Sequence, residues 1–330
     1  MEKKYLRNDI VFLRIVAVFM VVSIHICALF LNTNIIRDTT FIIANLIDST
    51  SRIAVPLFVL ISGALMLKPQ KNISIFDFYK KRLFRICLPL IFWCSLFLFF
   101  RMSLEFYKTE SVNTYSLFLD LYKGIPFYHL WYIFMYIGLV LLTPFISLIL
   151  NTFTLKSSII LGSSILFCSI LFLLEGNTYD NSFFLIKTVD FIGYYILGYC
   201  LSYLNIGKRW RLILVITFII SLIATFYGYY FSSYFYRYTS INVALMSICF
   251  FLYNINTSKY IRNEFQILSK YSMGIFYVHP IFVKGIEYLC MNYIKNTPIL
   301  LPVAIILVLF LSLFTCILID KLFGLKKIIQ

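Results

Sequence analysis

Residues 11–31 read VFLRIVAVFMVVSIHICALFL, and they contain no acidic residue and only two basic ones, Arg14 and His25. A helix rises 1.5 Å per residue, so crossing roughly 30 Å of hydrocarbon takes about 20 largely apolar residues. Basic residues precede this run, but no small-residue cleavage site follows it, and many similar runs come after it. The run therefore predicts a retained first transmembrane helix, and not a signal peptide.

Similar apolar runs recur along the whole chain. Of its 330 residues, 61% are hydrophobic and only 13% are charged, far from the composition of a soluble domain. We therefore predict an all-α polytopic membrane protein with about ten transmembrane helices, forming a single membrane domain over residues 1–330. The predicted spans are Val11–Leu31, Phe41–Leu67, Leu83–Phe100, Phe127–Leu150, Ile159–Leu174, Phe183–Leu204, Leu212–Phe231, Ile241–Asn254, Ser272–Cys290 and Ile299–Ile319.

The basic residues predict the orientation of the spans. Positively charged loops resist translocation, and most of the 29 Lys and Arg residues fall in segments that are cytoplasmic if the N-terminus is inside. Both termini are then cytoplasmic. The formal charge of +15 is explained by anchoring at the inner leaflet, next to membrane lipids. A nucleic-acid partner would need a basic face on a soluble fold, so none is expected.

Two ionisable residues share one face of the first predicted helix. An ionisable side chain deep in a bilayer is costly, which makes each one a candidate for function. Arg14 and His25 are eleven residues apart, which is three turns plus about 20°, so they lie on one face roughly 16 Å apart along the axis. The alternative is structural: Arg14 reaches the lipid headgroups, and His25 bonds a neighbouring helix.

Other charged residues in the spans have the spacing of ion pairs. Asp48 and Arg52 are i,i+4 neighbours, which would explain their burial without a function. The i,i+3 spacing invites the same explanation for Lys187 with Asp190 and for Lys284 with Glu287.

All three histidines of the chain lie in or beside predicted spans. The predicted topology places His25, His129, Asp48 and Arg52 at a similar depth in the outer half of the bilayer. The simplest arrangement that accommodates these four groups is a polar chamber inside the membrane. His279 lies in the ninth span, about eight residues from its cytoplasmic end.

A basic cluster opens the third predicted span at the cytoplasmic side. Arg82 and Arg85 are three residues apart at a helix start, so their guanidinium groups could bind a phosphate or diphosphate through paired hydrogen bonds. A simple positive-inside anchor would explain the same residues.

Taken together, these segments resemble the acyltransferase-3 family of integral membrane acyltransferases, which modify bacterial surface glycans. Each of five segments is similar to one of the family's motifs, and they occur in order along the chain. The segments are Leu13–His25 with its arginine and histidine, Ser51–Leu65 with a Ser-Gly turn, Arg82–Pro89 with Arg-x-x-Arg, Phe127–Phe145, and Ser272–Pro280. The second and fourth helices most resemble the branch that contains the O-acetyltransferase of enterobacterial common antigen. One departure is Val11, where many members have an acidic residue; Asp9 is a possible substitute.

The resemblance implies a reaction and its substrates. The donor would be an acyl-CoA, usually acetyl-CoA, entering from the cytoplasm, and the acceptor a hydroxyl of a lipid-linked or cell-surface polysaccharide. No permanently bound cofactor is implied. The expected product is an O-acyl, most simply O-acetyl, ester made at the bacterial plasma membrane.

The same resemblance suggests roles for particular side chains. His25 would be the general base or a transient acyl carrier, because a neutral imidazole suits proton transfer near pH 7. Arg14 would orient the donor, and Arg82 with Arg85 would hold its phosphates. Arg52 and His129 would bind the acceptor or stabilise the oxyanion. Supporting positions are Asp48, Glu287 and His279, the last of which is equally well explained as a structural histidine.

Two other classes of function stay open on the sequence. The chain could be a transporter that flips a glycan or moves ions through the same polar chamber, although the inverted repeats common in transporters are not visible. It could also be a non-catalytic subunit for other glycan enzymes. A metal centre is not expected, because three separated histidines without clustered carboxylates form no recognisable ligand set.

Overall fold

The structure is a computed structural model that describes residues 7–33, 38–68, 74–257, 263–292, 298–322 and 325–329. Within these ranges the regular secondary structure is entirely helical, which confirms the all-α membrane architecture. The α-helices are α1 (Asn8–Thr33), α2 (Thr39–Ser51), α3 (Ala54–Met66), α4 (Ile75–Thr109), α5 (Thr114–Tyr122), α6 (Trp131–Thr152), α7 (Leu155–Leu174), α8 (Val189–Leu201), α9 (Lys208–Gly228), α10 (Ile241–Asn254), α11 (Asn263–Lys270), α12 (Ser272–Asn292) and α13 (Leu300–Leu322).

In the described part of the chain, eight helical segments are long and apolar enough to cross a membrane. They comprise α1, α2 with α3, α4, α6, α7, α9, α10 with the turn before it, and α13. The two remaining predicted spans coincide with α8, which has only 13 residues, and with α12. The count of ten and the cytoplasmic termini therefore stay predictions.

The second predicted span is interrupted in its middle. We predicted one apolar run over Phe41–Leu67, but α2 ends at Ser51 and α3 begins at Ala54. Pro56 explains the break, since it has no N–H to donate to the carbonyl of Arg52, four residues earlier. The interruption places Arg52 at a break between two helices.

The first helix occupies the centre of the bundle. It packs against α2, α3, α12 and α13, and its residues Leu13, Ala17 and Val22 are almost completely buried. A second layer is formed by α3 on α8, by α8 on α7 and by α9 on α10. The face of α1 that carries Arg14 and His25 is therefore surrounded by protein.

Candidate active site

The fold brings all three histidines together. The ring centroid of His279, on α12, lies 5.1 Å from that of His25 on α1 and 5.4 Å from that of His129, just before α6. The Tyr128 ring lies 4.9 Å from His25 and 5.5 Å from His129. His129 and His279 are buried, whereas His25 is partly exposed. We call this group the histidine cluster, and His25 is its accessible member.

Backbone geometry fixes the protonation pattern of neutral His279. Its Nδ1 lies 3.0 Å from the carbonyl oxygen of Ile275, and because a carbonyl only accepts, Nδ1 carries the proton and donates it. Nε2 then bears a lone pair. Among the described residues, Nε2 of His279 and both ring nitrogens of His129 are buried without a hydrogen-bond partner. Buried polar atoms without a partner are uncommon in proteins, which makes this cluster a candidate for function.

Arg52 and Asp48 form the predicted i,i+4 ion pair beside this cluster. The Asp48 side chain is completely buried, and the Arg52 guanidinium also lies 4.3 Å from the centroid of the Tyr236 ring. Arg52 is within electrostatic range of His25. The i,i+4 ion pair is thus confirmed, and Arg52 is near His25.

The other two predicted ion pairs have different outcomes. Lys284 and Glu287 pair as expected, and Glu287 lies within electrostatic range of Tyr128. The prediction for Lys187 with Asp190 was wrong, because no ion pair joins them. Lys187 lies in a 3₁₀ turn, Ile186–Thr188, while Asp190 belongs to α8, so the α-helical i,i+3 geometry does not apply.

Arg14 lies on α1 about three helical turns before His25, and it faces α6. The hydroxyl groups of Tyr132 and Tyr136 are within electrostatic range of its guanidinium, which forms no hydrogen bond or ion pair with any described residue. Asp9 does not take the place of the missing acidic residue. It pairs with Arg7 at 2.6 Å and accepts a bond from the backbone N–H of Asn256.

Arg82 and Arg85 lie near the start of α4, away from the histidine cluster. Arg82 is half-buried and Arg85 is exposed. Arg82 is within electrostatic range of Tyr195, whose hydroxyl is 2.8 Å from the Thr143 hydroxyl. Tyr195 is in turn within range of Tyr136. Arg82, Tyr195, Tyr136 and Arg14 therefore form a series in which each group is within electrostatic range of the next, and we call this series the polar path.

Tyr132, Tyr136 and Tyr195 were not among the predicted site residues. His129, Tyr132 and Tyr136 are three and four residues apart, which places them on one face of α6 and its preceding turn. That spacing was a visible signal. It was masked because Tyr is common in this chain, with 25 copies, and an aromatic stripe in a membrane helix is ordinarily packing.

A cavity of about 540 Å³ lies on the other side of Arg52. Its lining includes Trp131 of α6, Lys187 and Asp190 at the start of α8, and Tyr238 in the segment before α10. The volume is within the range of small-molecule sites, about 300–1,000 Å³. Arg52 therefore links this cavity to the histidine cluster, because it lines the cavity and is within electrostatic range of His25.

The described residues contain no group of three or more His, Cys, Asp or Glu side chains suited to hold a metal ion. The histidine rings contact one another and also contact aromatic side chains such as Phe97 and Phe276. The arrangement supports proton transfer and hydrogen bonding by imidazole groups.

Comparison with known proteins gives one result. Residues 7–321 match the acyltransferase-3 family, described as an acyltransferase domain. No curated protein and no solved structure matches the chain. The family match includes the histidine cluster, Arg14, the α4 arginines and the cavity beside Arg52. With the membrane helices and the family motifs, it shows that this chain belongs to the acyltransferase-3 family of membrane acyltransferases.

Proposed function

We propose that this protein is an O-acyltransferase of the bacterial plasma membrane. It moves an acyl group, in our view acetyl, from cytoplasmic acyl-CoA to a hydroxyl of a cell-surface or lipid-linked polysaccharide. The observation that carries the proposal is the position of the histidine cluster. Its accessible member, His25, is within electrostatic range of Arg52, which lines the cavity, and shares one face of α1 with Arg14, where the polar path ends. One site could then receive a donor from one side and an acceptor from the other.

His25 is the group that we assign to proton transfer. A sugar hydroxyl is a weak nucleophile until a base takes its proton, and a neutral imidazole suits that task. In this step the sugar oxygen bonds to the thioester carbonyl carbon, the C–S bond breaks, and the proton passes through His25 to the leaving thiolate. His25 is partly exposed, whereas the other two histidines are buried, which favours it as the group that meets substrate.

An acyl-imidazole on His25 is the alternative course of the same reaction. The imidazole nitrogen would first displace CoA, and the sugar hydroxyl would then displace the imidazole. Both courses give the same ester and free CoA. They differ in whether label from the donor stays on the protein when no acceptor is present.

The basic residues fit successive parts of the donor. Arg82 and Arg85 would bind the phosphates of the nucleotide, because guanidinium groups bind phosphate oxygens in pairs. Arg14 has no anionic partner among the described residues, so it is available to orient the donor along the polar path. Arg52 and His129 would stabilise the oxyanion that develops on the thioester carbonyl.

The acceptor class rests on the likeness of the second and fourth helices to the branch that contains the O-acetyltransferase of enterobacterial common antigen. The cavity beside Arg52 supports it, because aromatic rings and charged groups both line it. By the predicted topology this cavity lies toward the outer face, where such glycans are found.

The proposal is tested with purified protein in proteoliposomes, given acetyl-CoA labelled in its acetyl group and a panel of polysaccharides. We expect label in a glycan with the native chain, and a loss of at least about 100-fold with His25→Ala. Phe19→Ala is the matched control, since Phe19 is an exposed residue of the same helix. It should keep native activity.

A different result would favour a different function. If no acyl donor is used by either protein, yet vesicles containing either one accumulate glycan, the chain is a transporter. Rapid quenching without an acceptor separates the two courses of the reaction: labelled native protein, absent in His25→Ala, identifies His25 as an acyl carrier.

A further inference from the structure

The cavity beside Arg52 contains a buried ammonium group that is not part of an ion pair. Lys187 lines this cavity and is only 8% exposed. Its ammonium is within electrostatic range of Asp180, but that carboxylate pairs with Arg237, and Lys187 forms no ion pair or hydrogen bond with any residue that the structure describes. A buried charge without a partner is costly, so such a position favours the arrival of an anion.

The remaining charges around the cavity are mostly neutralised. Arg52 pairs with Asp48, and Arg237 pairs with Asp180 at a distance of 2.7 Å. Asp190 also lines the cavity, but it is less buried than Lys187 and does not pair with it. A ligand would therefore meet the Lys187 ammonium and the Asp190 carboxyl group in the same space, and neither of them belongs to an ion pair among the residues that the structure describes.

Aromatic rings complete the lining. The rings of Trp131 and Tyr238 stack on each other with centroids 5.5 Å apart and planes at 25°. Aromatic surfaces in a pocket pack against the C–H faces of a sugar ring, while the few polar groups fix its orientation. An aspartate carboxylate accepts hydrogen bonds from sugar hydroxyls, and a lysine ammonium binds an acid group.

We propose that this cavity is a binding subsite for an acidic sugar, whose carboxylate pairs with Lys187 while its hydroxyls bond to Asp190. The subsite rests on the proposed function, because it holds a residue of the acceptor glycan at Arg52, which is within electrostatic range of His25. It makes that function more specific: the preferred acceptor carries a carboxyl group in the sugar unit held beside the reacting hydroxyl.

The test is equilibrium binding to the full-length protein in nanodiscs, with no acyl donor present. The probes are matched pairs of sugars, glucuronate with glucose and galacturonate with galactose, each as the methyl glycoside. We expect at least one acid to bind the native chain about tenfold or more tightly than its neutral counterpart, as for a charged hydrogen bond. Lys187→Met should abolish that preference.

The matched control is Lys123→Met, which removes a nearby lysine that bonds to Asn181 and does not line the cavity. It should keep the native preference. The proposal is overturned if no acid binds the native chain more tightly than its neutral counterpart, or if Lys187→Met keeps the preference. Because no acyl transfer is measured, an inactive but folded His25→Ala protein should still prefer the acid. The binding test can therefore contradict the proposed subsite without contradicting the proposed acyl transfer, and the reverse is also true.

Discussion

Arg52 and Asp48 form an ion pair that offsets the cost of burying each charge in the membrane. The Asp48 carboxylate is completely buried, and its partner guanidinium faces the cavity and the Tyr236 ring. The pair is thus anchored at one end and available to ligand at the other. Removing one member of a buried pair is more harmful than removing both, because the remaining charge is left without a partner.

We therefore expect Asp48→Asn to lower the free energy of unfolding by about 3–5 kcal/mol, the usual effect of breaking a buried ion pair. The double variant Asp48→Leu with Arg52→Met should regain most of that stability but lack acyl transfer. Thermal unfolding in detergent and the transfer assay measure the two effects. A double variant less stable than Asp48→Asn would mean that the pair itself, and not the orphaned charge, stabilises the fold.

His279 offers a second test at this scale. An asparagine at this position can still donate to the carbonyl of Ile275, but it has no group corresponding to Nε2. If Nε2 orients the imidazole of His25, His279→Asn should fold normally and lose on the order of 100-fold in kcat, since small misplacements of reacting groups have effects of that size. A variant with native kcat would make His279 a structural residue.

At the scale of elements, glycines allow α3 and α8 to approach closely. A Cβ atom on Gly63 would collide with the carbonyl of Tyr195, and one on Gly198 would collide with the carbonyl of Leu60. These contacts are with backbone atoms, which cannot move aside as a flexible side chain can. The close approach matters for the site because Arg52 precedes α3 and Lys187 precedes α8.

We expect Gly198→Ala to destabilise the protein by about 1–3 kcal/mol or more, as overpacking of a well-packed interface does. Gly285→Ala is the control, because Gly285 lies in α12 with open space around it. That substitution should be neutral or stabilising by up to about 1 kcal/mol, from helix propensity alone. Equal thermal stability of the two variants would show that the α3–α8 interface can open at little cost.

The helices also show how far sequence reasoning could go. Apolar length predicted the membrane elements because it depends only on composition within one segment. The Asp48–Arg52 pair was predicted because it lies within one helical turn. The break at Arg52, the 3₁₀ turn at Lys187 and the tyrosines facing Arg14 were missed. The break has a local cause in Pro56, whose effect was overlooked within a long apolar run. Sequence pattern does not separate a 3₁₀ turn from the start of an α-helix, and the tyrosines depend on which helices face each other.

At the scale of the whole molecule, the site joins parts of the chain that are far apart in sequence. The histidine cluster is built from α1, the start of α6 and α12. The predicted depths placed His25 and His129 together, since topology fixes depth for every span at once. Depth alone could not show which residues face each other, so the position of His279 in the same cluster was not foreseen.

The direction of the reaction depends on the orientation of the chain in the membrane, which the basic residues predict. If the N-terminus is cytoplasmic, Thr114 at the start of α5 is external and Lys156 in α7 is internal, and both are exposed. In intact cells an impermeant thiol reagent should label Thr114→Cys, whereas Lys156→Cys should be labelled only after permeabilisation. The native chain, whose exposed Cys168 lies within a membrane-spanning helix, is the background control. The opposite pattern would put Arg82 and Arg85 outside, where no acyl-CoA is available, and would remove the basis for a cytoplasmic donor.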